Sequence, residues 1–368
     1  MAPPVSSRHL LLDAAETLLF AAGGGVAFAL IGFPAGLISG SLLAVAVAAL
    51  LGRPMTVPLP LARVIYVLVG MSLGAVVTPE TLHGIAAFPL SIAVLTVATV
   101  CMIVATTSYL RFAHGWDVQS AVFGASPGGL AQVMSLAAEY GADLRAIAIV
   151  QVMRVVLLTI GIPTGLALFG LSASGVVAPS ANGGAVSLTE LAMLVAASTF
   201  TAFAMVWLRL PGGLVFGAMI GSGILHGGGF IHSAMPFWVV SIAVIGVGAV
   251  TGSRFANTDP RTLLRYIGAA LGSFAVAITV ASGFVLLLTT LLAVRIADAV
   301  VAFAPGAQDT MMVLALSLHL DPIFIGAHHL WRFMLVSLSL PFQARRAGKA
   351  LPPARNERPP RKRGPFED

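Results

Sequence analysis

Residues 124–134 read GASPGGLAQVM, and residues 302–312 read AFAPGAQDTMM. Each places a Pro-Gly in the middle of an apolar run, where a continuous helix would lose a backbone donor and gain a clash. The surroundings make this unusual. The chain of 368 residues is 58% hydrophobic and 9% charged, against roughly 25% charged in soluble domains. Apolar runs of about 20 residues recur from residue 10 to residue 343, as in a polytopic membrane protein.

The two stretches belong to one repeat. Pro127 to Pro163 aligns without a gap on Pro305 to Pro341, at a constant offset of 178. Identities include Pro127/Pro305, Gly128/Gly306, Met134/Met312, Asp143/Asp321 and Arg154/Arg332. Upstream, PAGLISG (34–40) matches PGGLVFG (211–217), and GMSLG (70–74) matches GAVTG (248–252). Each half then holds six apolar elements: 10–31, 34–51, 61–78, 84–111, 117–139 and 143–170, then 188–208, 211–228, 235–253, 263–293, 296–318 and 321–343. The fifth of each contains the break. The pieces beside it reach only about 14–18 Å, which fits a re-entrant hairpin as well as a kinked span.

Charge separates these alternatives. With re-entrant fifth elements and a cytoplasmic N-terminus, Arg8, Arg53, Arg63, Arg111, Arg145, Arg209, Arg254, Arg261 and Arg265 all fall inside, and only Arg295 lies outside. If every element crossed, Arg209, Arg254, Arg261 and Arg265 would move outside, against the positive-inside rule. Five crossings per half invert the halves. The expectation is therefore an all-α polytopic membrane protein: two inverted repeats of five transmembrane helices, each with one re-entrant broken helix, about ten crossings in all. The repeats are residues 1–171 and 188–343, joined by an uncharged periplasmic linker at 172–187. The tail, 344–368, is basic and Pro-rich; eight of the twenty Lys and Arg lie in the last 24 residues. It reads as a disordered cytoplasmic segment.

Unwound backbone in a membrane must be buried in protein or line a cavity, so the breaks at Pro127, Gly128 and Gly129, and at Pro305 and Gly306, are candidate substrate-binding positions. Arg154 and Arg332 sit eleven residues into the following helices, about 16 Å deep. An arginine there costs at least ~2.5 kcal/mol and needs a partner or a purpose. Pairing with Asp309, Glu139 or the free carbonyls is one reading. A planar fork for a carboxylate or phosphate is the favoured one, with one arginine neutralised by Asp309. Gln151 and His329 share a face with these arginines at three-residue spacing. Gln132, Gln308 and Asp309 lie in the first turns after the breaks, where free N–H groups suit an anion. Asp309 and His329 are candidates to take up H+ or Na+, and the residues leave both ions open. For His328 a hydrogen bond across helices is the preferred reading. Glycines spaced by four, such as Gly70/Gly74 and Gly248/Gly252, read as close helix packing.

One cysteine, Cys101, excludes a disulfide framework or a Cys-based metal site. No nucleophile–base arrangement, P-loop or dinucleotide fingerprint stands out. The expectation is no enzyme, no cofactor, no metal and no nucleic-acid partner; a homo-oligomer is compatible with the sequence.

The duplicated PGGLAQVMSLAAEYGADLRAIAIVQVMRV and PGAQDTMMVLALSLHLDPIFIGAHHLWRF resemble the bacterial membrane family called AbrB duplication proteins, over about residues 10–343. The resemblance implies an inner-membrane protein carrying a regulatory label; some members bear an ammonia monooxygenase label. The His and Cys spacing offers no copper or iron site for the second, and no soluble reader module supports direct DNA binding. The leading expectation is an ion-coupled secondary transporter of a small organic anion with alternating access. The alternative is a membrane sensor or regulator that affects gene expression indirectly without transport.

Overall fold

The computed structural model describes residues 7–76, 88–127, 129–171, 187–210, 213–231, 233, 235–256 and 258–347. Gly128, most of the linker and the tail beyond residue 347 lie outside the described residues. Every described element is helical. The helices are α1 (Ser7–Leu30), α2 (Gly36–Leu50), α3 (Leu59–Gly74), α4 (Phe88–His114), α5 (Val118–Ala125), α6 (Leu130–Glu139), α7 (Leu144–Leu168), α8 (Leu188–Trp207), α9 (Gly213–Gly227), α10 (Phe237–Gly252), α11 (Pro260–Leu291), α12 (Ile296–Phe303), α13 (Gln308–Ser317) and α14 (Pro322–Ala347). A 3₁₀ turn, Ser253–Phe255, extends α10.

Seven helices among the described residues are long and apolar enough to cross a membrane: α1, α4, α7, α8, α10 with its 3₁₀ turn, α11 and α14. Three more, α2, α3 and α9, are apolar but span 15 or 16 residues, about 23 Å at 1.5 Å per residue. The outer surface is also apolar: Leu11, Leu19, Phe112, Leu168, Phe200 and Leu338 are each mostly exposed. In water such a surface would drive association, whereas in a bilayer it faces acyl chains.

Aspartates start several helices. Asp117 accepts from Ser120 N (2.9 Å) at the start of α5. Asp143 caps α7 through Arg145 N and Ala146 N (both 3.1 Å), and Asp321 caps α14 through Ile323 N and Phe324 N (2.9 and 3.1 Å). The two caps are themselves held alike. Asp143 N donates to Ser120 Oγ (2.8 Å) and Asp321 N donates to Asp298 Oδ1 (2.9 Å), residues again 178 apart. Ser187 and Glu190 form a capping box on α8. α14 runs on to Ala347, past the expected limit of 343.

Glycine faces set the packing of the short helices. α2 packs on α1 and α10, α9 packs on α8 and α3, and α4 packs on α11. A Cβ at Gly70 would strike Val215 O and Ala218 Cβ of α9, and one at Gly248 would strike Ser41 and Leu42 of α2. These backbones are in direct contact, so van der Waals packing holds the helices where lipid removes the hydrophobic drive. A large side chain has nowhere to go. Gly70→Leu and Gly248→Leu should each cost about 1–3 kcal/mol by overpacking, read as a lower unfolding temperature in detergent. Gly161→Ala, where nothing lies within 4 Å of the added carbon, should not lower that temperature and should raise it slightly, since alanine is the better helix former.

Candidate functional site

Each apolar fifth element is two short helices around an extended break. α5 ends at Ala125, and α6 begins after Gly129; α12 ends at Phe303, and α13 begins after Ala307. A helix end leaves carbonyls without helical partners, and no water is present in a bilayer core to replace them. Here α7 and α14 supply the donors. Gln151 Nε2 donates to Phe123 O (2.9 Å), while Arg154 Nη1 and Nη2 donate to Ala125 O and Ser126 O (3.2 and 3.3 Å). In the other half His329 Nε2 bonds Val301 O (2.9 Å), while Arg332 Nη1 and Nη2 donate to Ala302 O and Gly306 O (3.5 and 3.4 Å). Gln151 and His329, 178 apart, thus hold Phe123 and Val301, also 178 apart.

His329 is tied further. Arg332 Nη2 donates to His329 Nδ1 at 2.6 Å. Nδ1 therefore accepts, and the ring hydrogen sits on Nε2, aimed at Val301 O. His328 hydrogen-bonds across helices, with Nε2 2.8 Å from Ser91 Oγ and Nδ1 2.7 Å from Phe324 O.

These groups surround a cavity of about 870 Å³. Pro127, Gly129, Gln151, Arg154, Gly306, Gln308, Asp309, His329 and Arg332 all line it. Gln132 turns aside: it accepts from Ser337 Oγ of α14 (2.7 Å). Pro305 is buried in the second break outside the lining.

Asp309 does not neutralise either deep arginine. Its Oδ2 lies 3.4 Å from Arg254 Nη2 and accepts from Tyr66 Oη at 3.0 Å. Sequence reasoning missed both partners. Arg254 read as a loop charge at the end of α10, but its long side chain reaches back into the cavity. Tyr66 was a lone hydroxyl in an apolar helix; a polar tip at that depth was the available signal.

The N-termini of α6 and α13 also reach the cavity. Neither has a side-chain cap, and the first intrahelical bonds are Val133 N to Gly129 O (3.0 Å) and Met311 N to Ala307 O (2.9 Å). The earlier N–H groups therefore present partial positive charge. Three guanidiniums (Arg154, Arg254 and Arg332) and one carboxylate (Asp309) face the cavity, so formal charge there is net positive and suited to an anion.

Removing a carbonyl's partner in this setting costs about 1–3 kcal/mol. Gln151→Leu frees Phe123 O alone, whereas His329→Leu frees Val301 O and also removes one of the three partners of Arg332. His329→Leu should lower the unfolding temperature further than Gln151→Leu, and His329→Gln should recover most of the loss. Equal effects of the two leucine variants would contradict this accounting.

A family model described as "Transition state regulatory protein AbrB" matches residues 37–348. A Bacillus subtilis (strain 168) protein named "Uncharacterized protein YhjN" is 26% identical over 239 residues, 61% of this chain and 62% of its own length. An Escherichia coli (strain K12) protein named "Putative regulator AbrB" is 24% identical over 322 residues, 87% of this chain and 92% of its own. The chain thus matches less than two thirds of the Bacillus protein and nearly all of the Escherichia protein.

Proposed function

The chain belongs to the AbrB family, and on that premise we propose that it is a secondary transporter of a small organic anion, coupled to H+ or Na+, alternating between inverted repeats. One observation carries the reading: a cavity of about 870 Å³ at two helix breaks, faced by three arginines, one aspartate and two uncapped helix N-termini. Its volume is that of a small-molecule site. Broken helices whose N-termini meet an anionic group near the midplane are a recurring design of secondary transporters.

The repeat architecture rests on packing. α2 packs on α10 as α3 packs on α9, and α4 packs on α11. This exchange is expected of two repeats related by a two-fold axis in the membrane plane. Seven long helices and three shorter ones would give ten crossings, leaving α5–α6 and α12–α13 as re-entrant hairpins entering from opposite faces. On this reading the protein sits in the bacterial inner membrane with both termini cytoplasmic. It needs no catalytic residue, cofactor or nucleic acid; its partners are the lipid bilayer, the anion and the coupling ion, and self-association is compatible with it.

Asp309 is the natural seat of the coupling ion. It is the sole carboxylate among the described cavity-lining residues, and its side chain keeps 19% of its surface accessible. Arg254 would neutralise it when no cation is bound.

The second reading, a sensor that binds the anion without moving it, draws on the regulator name of the Escherichia relative. Flux separates the two. Protein reconstituted in liposomes should accumulate a radiolabelled carboxylate from a mixed panel when an inward H+ or Na+ gradient is imposed, and Asp309→Asn should lose that gradient dependence. Specific binding without accumulation under either gradient would favour the sensor.

A further inference from the structure

The two breaks are equivalent in structure, but only the second carries a carboxylate in its first helical turn, and much of the cavity lining is apolar. From this we infer that the ligand is a monocarboxylate with an apolar body, its carboxylate held at Arg154 and the N-terminus of α6. The inference rests on the anion reading above and names its substrate class.

The first break has spare capacity for an anion. Arg154 is only 5% exposed, yet its Nε makes no hydrogen bond among the described groups. A buried guanidinium donor without a partner is costly, so it is a place for an acceptor to arrive. The α6 N-terminus opens into the same cavity with neither a side-chain cap nor an acidic residue in its first turn. A carboxylate there would take the spare guanidinium donor together with first-turn N–H groups.

The second break already carries a carboxylate and a histidine of the protein itself. Arg332 is engaged by His329, Ala302 O and Gly306 O. The first turn of α13 carries Asp309, which supplies a carboxylate where an external one would bind. A second anionic group on the ligand would compete with that carboxylate for Arg254. Leu130, Val155, Val206, Leu214 and Phe333 also line the cavity. These side chains offer nothing to a hydroxyl, a second carboxylate or a phosphate, and desolvating such groups against them is unfavourable. An aryl or branched alkyl body would instead gain burial.

The test uses the purified full chain in mild detergent with four probes: phenylacetate, its neutral amide phenylacetamide, succinate and inorganic phosphate. Phenylacetate should raise the unfolding temperature, since a ligand of the native state stabilises it by mass action. The amide should not, and succinate and phosphate should do so less. Isothermal titration of phenylacetate into Arg154→Lys should show affinity about tenfold weaker or lower, because lysine keeps the charge but not the planar donor set. Phe333→Ala should also weaken phenylacetate, which gives a second variant should Arg154→Lys fail to fold. Larger stabilisation by succinate or phosphate would overturn the ligand class while leaving an anion transporter standing. Unchanged affinity in a folded Arg154→Lys would overturn the placement of the carboxylate. If none of the anions stabilises the wild type, this inference and the anion reading fall together.

Discussion

A carbonyl at the end of a helix, buried away from water, must find a donor from the protein. Both breaks in this chain create that demand, and α7 and α14 answer it. Gln151 with Arg154, and His329 with Arg332, reach the exposed carbonyls of α5 and α12. Arginine suits the task because one planar group carries five donors and bridges two carbonyls at once. The consequences extend beyond the bonds. Three-residue spacing puts each pair on one helix face, so satisfying the break fixes the rotation of α7 and α14. That rotation brings Val155 and Phe333 onto the cavity wall beside the guanidiniums.

The same constraint explains how an arginine can serve both structure and ligand. Burying a lone guanidinium costs several kcal/mol. Two bonds to carbonyls offset part of that cost, and Arg154 still retains an unused Nε. Arg332 adds a bond from Nη2 to His329 Nδ1. Residues 178 apart therefore share the supporting work but not the exposed chemistry. Ser120 and Asp298 hold the caps of α7 and α14 alike. Asp309, with Arg254 and Tyr66, has no such counterpart: positions 131, 76 and 244 are Ala, Val and Val. The carboxylate and its two partners therefore have no equivalents at the matching positions of the repeat.

Much of the fold was legible in advance because the sequence signals were local. Apolar runs and Pro-Gly breaks are short-range features, and they marked the limits of most helices to within a few residues. The glycines spaced by four announced close contact, and Gly70 and Gly248 do meet a neighbouring backbone. The candidate site was legible in part for the same reason. A proline break and a buried arginine are each anomalous in an apolar chain, so both drew attention without any knowledge of their neighbours.

By itself, the sequence determined that the chain is helical and apolar enough for a membrane, that two elements are broken, and that Arg154 and Arg332 occupy matching sequence positions after the breaks. Only the tertiary structure decided what those arginines touch. It gave them carbonyls rather than Asp309, sent Asp309 to Arg254 and Tyr66, and turned Gln132 away toward Ser337. The physical reason is reach. Periodicity and capping depend on residues within a turn or two. The partner of a long polar side chain depends on which distant backbone is brought within about 3 Å, and that is set by how the helices pack.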